Sequence, residues 1–266
     1  MEKINVAVNG AFGRMGREVC QAVLDDEELQ LAGAFDLQGI GEDIGEVLGK
    51  KKLGIVLRNL SSEALAEGKI QVMVDFTTPM AVMDNIKISL ACGIRPVVGT
   101  TGITQVDLKL IEEWVEKAGL SAFIAPNFAL GAVLMMKFAQ LAARYFKHAE
   151  IIELHHDQKI DAPSGTSLKT AEMIAAGRRE EPQKREELLK LAGARGAVAE
   201  NVHIHSVRLE GLIAHQEVIF GGLGQTLTIR HDSYDRKSFM PGVLLAIKKI
   251  ASLKGLVYGL ENLLDL

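Results

Sequence analysis

The sequence has little cysteine, no excess of positive charge and no long apolar run. Cysteine occurs twice, as Cys20 and Cys92, both on apolar faces of predicted helices, so we expect two buried free thiols rather than a disulfide. The formal net charge of −4 argues against binding to a nucleic-acid backbone, which requires a basic face. No apolar segment approaches the ~20 residues that span a bilayer, and the N-terminus lacks a secretory signal pattern. These absences predict a cytoplasmic protein that binds neither nucleic acid nor membrane.

The first half of the sequence alternates between strand and helix patterns. Strand patterns occupy 3–9, 29–35 and 69–76, and new ones begin at 94 and 121, with helical patterns between them. This alternation predicts an α/β fold with a doubly wound, mostly parallel sheet of the Rossmann type. After the strand at 69–76, the segment TTP (77–79) is expected to supply a threonine N-cap and a proline at the first position of the next helix.

After about residue 130 the rhythm of the sequence changes. A helix is expected at 130–147 and a strand at 150–155, followed by a loop at 156–166 and a further helix. The charged run at 177–190 is typical of a solvated helix or surface loop. From 202 onward, three strand patterns are separated by glycine turns instead of helices. This meander predicts an antiparallel or mixed sheet in a second, α+β domain.

The first chemical signal is the segment VNGAFGRMG, which follows the first strand. Gly10, Gly13 and Gly16 have the spacing G-x-x-G-x-x-G. Glycines there permit a tight turn and the close approach of a pyrophosphate, and the positive end of the helix dipole faces that group. Asp36 ends the second strand about 20 residues later, where a carboxylate can accept hydrogen bonds from the adenine ribose. The segment predicts a dinucleotide site, and a strand–helix turn without a ligand is the alternative.

The residues after Asp36 bear on the choice of cofactor. A basic residue at position 37 would favour the 2′-phosphate of NADP, but Leu37 stands there and Asp36 would repel that phosphate. We therefore expect NADH to be preferred, and use of NADPH stays open because Arg14 or Arg17 could pair with a phosphate. The segments 99–102 and 125–128 also follow strands of this sheet, where they are either cofactor loops or plain turns.

The sharper signal is the segment ELHHDQKIDAPSGTS. His155 and His156 would point to opposite faces of a continuing strand, so both can serve one pocket only if the strand ends there. Lys159 then adds a third cationic or proton-donating group to the same short loop. A structural role for the histidines is the alternative, but the cluster favours a catalytic loop.

A metal site is the rival functional interpretation of these histidines. It would need further ligands at suitable spacing, and Cys20 and Cys92 belong to other predicted elements. His203 and His205 alternate on a strand and could reach one side of it. This set is too sparse for zinc, so we predict no metal.

The segment SGTS introduces the helix that follows the histidine loop. Ser164 or Thr166 can cap the helix, and backbone N–H groups near Gly165 and Thr166 can bind an anion. An ordinary cap is the alternative. Next to a cationic loop, this helix start predicts a dianionic substrate, with one carboxylate at the helix and another near the loop.

On these residues the sequence resembles the dihydrodipicolinate reductases, now called 4-hydroxy-tetrahydrodipicolinate reductases, of bacterial lysine and diaminopimelate synthesis. The resemblance rests on GRMGR, DFT, GTTG, HHDQKIDAPSGT and FGGLGQTLTIRHDSYDR, which span nearly the whole chain. It implies a Rossmann domain closed by the C-terminal helix (1–126 and 236–266). It also implies a substrate-binding and oligomerisation domain with an open mixed sheet (127–235), and a homotetramer built through those sheets.

The resemblance also implies roles for single residues. His155 and Lys159 would be the acid–base residues, and His156, Gly165 and Thr166 would bind a small dicarboxylate. The implied cofactor contacts are Gly10, Ala11, Phe12, Gly13, Arg14, Met15, Asp36, Gly99, Thr100, Thr101, Ala125, Pro126, Asn127 and Phe128. The implied chemistry is hydride delivery from the nicotinamide to C4 of a cyclic, unsaturated dicarboxylate, with loss of water. Some relatives carry a basic residue at the position of Leu37, so the preference between NADH and NADPH stays open.

Two other functions compete with this reductase. A small-acid dehydrogenase, of the aspartate or homoserine type, would explain the Rossmann half but not the D-A-P-S-G-T loop. A regulator that senses a nucleotide without turnover would need no His-His-Lys loop.

Overall fold

The computed structural model of the chain describes residues 2–182 and 188–264. The chain divides into two compact units, one of Met1–Phe128 with Phe239–Leu266 and one of Ala129–Ser238. Residues 183–187, which belong to the charged run expected to form a solvated helix or loop, lie outside the described residues.

The described elements alternate in the first unit and follow another order in the second. The strands are β1 (Ile4–Asn9), β2 (Leu29–Phe35), β3 (Leu57–Arg58), β4 (Val72–Asp75), β5 (Arg95–Val98), β6 (Ser121–Ile124), β7 (His148–His155), β8 (Ala197–Ala199), β9 (Val202–Arg208), β10 (Ala214–Gly222), β11 (Gln225–Ser233) and β12 (Gly255–Tyr258). The helices are α1 (Arg14–Asp25), α2 (Ile44–Val47), α3 (Ser62–Glu67), α4 (Val82–Ala91), α5 (Gln105–Ala118), α6 (Leu130–Ala142), α7 (Gly165–Gly177) and α8 (Met240–Lys249).

The first unit is built on a seven-stranded sheet with the order β12-β6-β5-β4-β1-β2-β3. Every strand pair in it is parallel. Val6, Ala7 and Val8 on β1 are completely buried, so both faces of this interior strand are covered, as in other parallel sheets flanked by helices. The predicted doubly wound α/β fold is confirmed. β3 and β12 were not predicted: β3 has two residues, and β12 adds to the β6 edge from a tail expected to be helical.

The predicted start of α4 was wrong. The helix begins at Val82, and Thr77 and Pro79 precede it. The N-cap position is Ala81, whose side chain makes no capping hydrogen bond, whereas the hydroxyl of Thr77 donates a hydrogen bond to the Asp75 carboxylate at 2.8 Å. The N–H groups of Ala81 and Val82 both donate to the carbonyl of Thr78, which forms a turn before the helix.

The second unit contains a five-stranded sheet with the order β11-β10-β7-β9-β8. β7 and β9 are parallel and the other neighbours are antiparallel, so the predicted mixed sheet is confirmed. The simple meander was wrong, because β7 lies between β9 and β10. Ile151, Ile204 and Val218 align across these three strands and are buried on the face that α6 and α7 cover. Burying this apolar row places β7 in the centre of the sheet.

α6 is shorter than the predicted 130–147 helix and ends at Ala142. Among the described residues, none of the helices combines the length and the apolar character that a membrane span requires.

Candidate active site

The first unit brings its predicted cofactor segments to one edge of its sheet. The strand order reverses between β1 and β4, and folds of this kind bind nucleotides beyond the carboxyl ends of the strands at such a point. The glycine loop follows β1, residues 76–78 follow β4, residues 99–102 follow β5 and residues 125–128 follow β6. Parallel strands end on the same side, so these four segments share one edge.

Two of the three glycines in the first loop are required by the turn itself. A Cβ at Gly10, where φ is +82°, would lie 2.4 Å from the carbonyl oxygen of Phe76. A Cβ at Gly16 would lie 2.0 Å from the carbonyl oxygen of Gly10. Gly13 differs, because its φ is −68° and a Cβ would approach that oxygen only to 3.2 Å. The missing side chain at Gly13 therefore fits the close approach of a ligand to the start of α1.

Asp36 lies at the end of β2, where the sequence placed it, and it is tied to the glycine loop. One carboxylate oxygen accepts the N–H of Phe12 at 2.9 Å, and the other accepts those of Leu37 and Gln38. A carboxylate has about four acceptor sites, so these three bonds leave capacity for a ribose hydroxyl.

The two arginines of this turn differ in their contacts. Arg17 donates to the carbonyl of Phe12 at 2.8 Å, with its guanidinium 4.5 Å from the centre of the Phe12 ring. Arg17 therefore stabilises the conformation of the glycine loop. Arg14 is exposed in the first turn of α1, next to the half-buried Met15.

A buried carboxylate that the sequence analysis did not single out joins three of these loops. Asp75, at the end of β4, accepts hydrogen bonds from Asn9, Asn85 and the hydroxyls of Thr77 and Thr100. The bond to Thr100 measures 2.7 Å and attaches the loop after β5 to the end of β4. The DFT motif contains Asp75 and Thr77, but the other three partners are 10 to 66 residues away in sequence, so no local pattern predicts the whole network.

The loops after β5 and β6 divide into buried and exposed members. A Cβ at Gly99 would lie 2.2 Å from the Phe76 ring, so this glycine is required by packing. Phe128 packs on Phe76 and Phe123, each with ring centroids 5.8 Å apart. Within the predicted cofactor set, Gly99, Thr100, Ala125 and Phe128 build the edge of the sheet, whereas Thr101, Pro126 and Asn127 present more surface.

In the second unit, β7 ends at His155, which is the condition under which His155 and His156 can both serve one pocket. Nδ1 of His155 lies 2.5 Å from Oε2 of Glu153, whose side chain is fully buried. His156 is exposed in the loop that follows. The ammonium of Lys159 lies 2.7 Å from a carboxylate oxygen of Asp161. The structure thus places the three predicted residues at one end of β7.

The ionisation of His155 depends on its burial and its charged neighbours. Burial lowers the pKa of His155 below its usual 6.5, and the positive charges of Lys159 and Arg208 act in the same direction. The carboxylate of Glu153 opposes this shift without reversing it. Burial alone would raise the pKa of Glu153, but hydrogen bonds from Arg208, Ser206 and His155 hold it below its usual value. At neutral pH the pair is therefore a neutral imidazole and a carboxylate.

The helix after the loop begins as predicted, with Ser164 as its cap. Oγ of Ser164 accepts the N–H of Ser167 at 3.2 Å. Gly165 is exposed at the first helical position, and a Cβ there would meet no atom of the described residues within 4 Å. Packing therefore gives no reason for glycine there, whereas close approach of an anion to the helix start would give one.

The histidines considered as metal ligands have other partners. His203 bonds the carbonyl of Arg195 through Nδ1, and His205 bonds Glu150 through Nε2 at 2.8 Å. Within residues 2–182 and 188–264, no group of three or more His, Cys, Asp or Glu side chains is arranged to hold a metal ion. Cys20 and Cys92 are free, and burial raises the pKa of the Cys20 thiol to about 12.

A parallel sheet in this order with a glycine-rich first turn, in a chain whose second unit carries a loop of two histidines and a lysine, is typical of the class of nicotinamide-dependent oxidoreductases. The family description "Dihydrodipicolinate reductase, N-terminus" matches residues 4–128, and "Dihydrodipicolinate reductase, C-terminus" matches residues 131–264. The chain belongs to the dihydrodipicolinate reductase family. The expected family resemblance is therefore confirmed.

Individual relatives agree over the full length. A 4-hydroxy-tetrahydrodipicolinate reductase of Desulfitobacterium hafniense is 54% identical, with 100% of each chain covered. That of Listeria welshimeri is 53% identical, covering 98% of this chain and 100% of the relative. The solved structure of a dipicolinate-bound dihydrodipicolinate reductase from Paenisporosarcina sp. TG-14 has a TM-score of 0.88 and 48% identity, covering 98% of this chain and 100% of that one. The small-acid dehydrogenase and the sensor do not account for this agreement.

Proposed function

We propose that this chain catalyses the NAD(P)H-dependent reduction of 4-hydroxy-tetrahydrodipicolinate to tetrahydrodipicolinate, with loss of water, in lysine and diaminopimelate biosynthesis. The observation that carries the proposal is the match of both halves of the chain to one reductase family. The dipicolinate bound to the relative from Paenisporosarcina is a cyclic dicarboxylate, the substrate class expected from the helix start and the cationic loop.

In this proposal the first unit binds the cofactor through residues 10–15, Asp36, residues 99–101 and residues 125–128. The N-terminus of α1 and the small volume at Gly13 suit the pyrophosphate, and Asp36 suits the adenine ribose. When bound, NADH or NADPH supplies the hydride for the reduction.

The second unit binds the substrate and handles its proton. Backbone groups at Gly165 and Thr166 bind one carboxylate, and His156 and Lys159 attract the second. Lys159 and His155 are the candidates for giving a proton to the carbon next to the one reduced. Because the pKa of His155 is lowered by burial, its imidazole is neutral at pH 7.5, and the ammonium of Lys159 is the better donor.

A coupled assay tests the reaction. Pyruvate, aspartate semialdehyde and the upstream synthase generate the substrate, and oxidation of NADH or NADPH is followed by absorbance. We expect oxidation of both cofactors that depends on the synthase. Tight NADH binding without oxidation in this mixture would instead favour the nucleotide sensor.

We also propose that NADH is the preferred cofactor, and position 37 allows a test. Leu37 is 85% exposed, so Leu37→Arg leaves the packing of the core unchanged. A guanidinium beside the ribose should lower the KM for NADPH by about tenfold through its pairing with the 2′-phosphate. The KM for NADH is the internal control and should change by less than about twofold. An unchanged ratio of the two KM values would show that the residue at position 37 does not determine the preference between NADH and NADPH.

We further propose a homotetramer formed through the sheets of the second unit. This is implied by the family resemblance, and the exposure of most of β11 and of Leu227 supports it. Sedimentation equilibrium of the purified protein measures the subunit number.

A further inference from the structure

Glu153 is a buried carboxylate to which the proposed reaction assigns no role. It lies two residues before His155 on β7, so both side chains project from the same face of the strand. In the register of the sheet, His155 is opposite Arg208 and Glu153 is opposite Ser206 on β9. These two neighbouring register positions bring the carboxylate of Glu153, the imidazole of His155 and the guanidinium of Arg208 next to one another.

The contacts within this group are specific. Arg208 donates from both terminal nitrogens to the two oxygens of Glu153, at 2.9 and 2.8 Å. Glu153 accepts at the same time from Nδ1 of His155. An ionised carboxylate can only accept, so the proton of a neutral His155 must reside on Nδ1. Nε2 is then the nitrogen that can exchange a proton with a ligand.

The same buried layer also anchors the two other predicted substrate elements. Arg208 donates to the carbonyl of Asp161 at 2.7 Å, and Asp161 is the partner of Lys159. Gln216, opposite Glu153 on β10, donates to the hydroxyl of Thr170 at 2.7 Å. Thr170 donates in turn to the carbonyl of Thr166, in the first turn of α7.

We propose that Glu153, held by Arg208, is a positioning residue that keeps the proton of His155 on Nδ1 and, through the contact of Arg208 with Asp161, holds the Lys159 loop in place. The proposal rests on the proposed function, in which His155 and Lys159 are the candidate acid–base residues. It assigns Glu153 and Arg208 no contact with the substrate.

The first test is the tautomer of His155 in the unaltered protein. In protein labelled with ¹⁵N-histidine, two-bond ¹H–¹⁵N spectra distinguish a proton on Nδ1 from one on Nε2, and His155→Gln identifies the signals. We expect neutral His155 to carry its proton on Nδ1. A proton on Nε2 would overturn the proposal. This measurement needs no substrate, so a wrong tautomer and a failure of the proposed reaction are distinguishable results.

The second test is Glu153→Gln, with Glu150→Gln as its matched control. Glu150 lies on the opposite face of β7 and also contacts an arginine and a histidine, Arg195 and His205. In Glu153→Gln we expect kcat to fall roughly 10- to 100-fold, with the Kd for NADH within about twofold of the original value. Glu150→Gln should leave kcat within about twofold.

A pH titration separates positioning from loosened packing. The charged groups that act on His155 are Glu153 on its own strand, Arg208 on β9 and Lys159 in the loop. Glu153→Gln removes the negative charge that favours protonation of His155. The titration midpoint of the His155 imidazole signals should therefore move to lower pH. A midpoint and a kcat that change no more than in Glu150→Gln would contradict the proposal. If the variant does not fold, the tautomer in the unaltered protein decides.

Discussion

Lys159→Ala is expected to lower kcat by about 10²- to 10⁴-fold, the usual contribution of a positioned proton donor. The substitution removes the ammonium that pairs with Asp161, and this pair lies in the exposed loop rather than in the core. The Kd for NADH should therefore stay within about twofold, as measured by fluorescence titration. His155→Ala should have a loss of similar order, and the double variant should lose little more, because groups that act as a unit are not additive.

Lys169→Ala and His148→Ala are the matched controls. Lys169 forms an exposed pair with Glu172 on α7, at 2.9 Å, and His148 is exposed at the start of β7. Both should retain kcat within about twofold. Turnover unchanged in Lys159→Ala and His155→Ala would remove the catalytic assignment of the loop while leaving family membership intact.

The dependence of kcat on pH separates the two proton donors. Burial and the charges of Lys159 and Arg208 lower the pKa of His155 below 6.5, against the opposing effect of Glu153. If protonated His155 were the donor, kcat would decline as pH rises through that lowered value, below pH 6.5. We expect kcat not to decline as pH rises through the lowered pKa of His155 and on to pH 8, because the imidazole is then not the donor. A decline through the pKa of His155 would reverse the assignment.

The sequence predicted the first unit well because its signals are local. Alternating strands and helices, the glycine turn and Asp36 each extend over a short window, and the parallel order follows from the crossover rule. The second sheet was harder, since the insertion of β7 between β9 and β10 is decided by the burial of Ile151, Ile204 and Val218 together. No pattern within one strand contains that information.

The same distinction applies to the candidate sites. His155, His156 and Lys159 are neighbours in sequence and could be found by inspection. Glu153 lies two residues from His155, and the period of a strand could have indicated it. Arg208 is 55 residues from Glu153, and only the strand register brings the two together. The network around Asp75 is equally dispersed. Sequence thus located the groups proposed to touch ligands and missed the buried groups that position them.

The glycine loop gives the last prediction, in which two alanine substitutions in one turn should have different effects. In Gly16→Ala the new Cβ would lie 2.0 Å from the carbonyl oxygen of Gly10 and 2.8 Å from Cα of Ala11, so the backbone must move. Replacing a glycine inside a helix normally stabilises by about 1 kcal/mol. Here the overpacking outweighs that gain, and we expect a net loss of about 1–3 kcal/mol, measured by urea unfolding, together with loss of NADH binding.

Gly13→Ala should weaken the binding of NADH without destabilising the fold. Its Cβ would lie 3.2 Å from the same oxygen, and its φ of −68° suits alanine, so the unfolding free energy should change by less than about 1 kcal/mol. The methyl group would nevertheless occupy the space proposed for the pyrophosphate at the start of α1, and the Kd for NADH should rise by about tenfold or more. If Gly13→Ala binds NADH as tightly as the unaltered protein, the pyrophosphate does not approach this turn. Weaker NADH binding with an unchanged free energy of unfolding would be the opposite result. It would mean that the ligand needs the space beside Gly13, which the fold itself does not require to be empty.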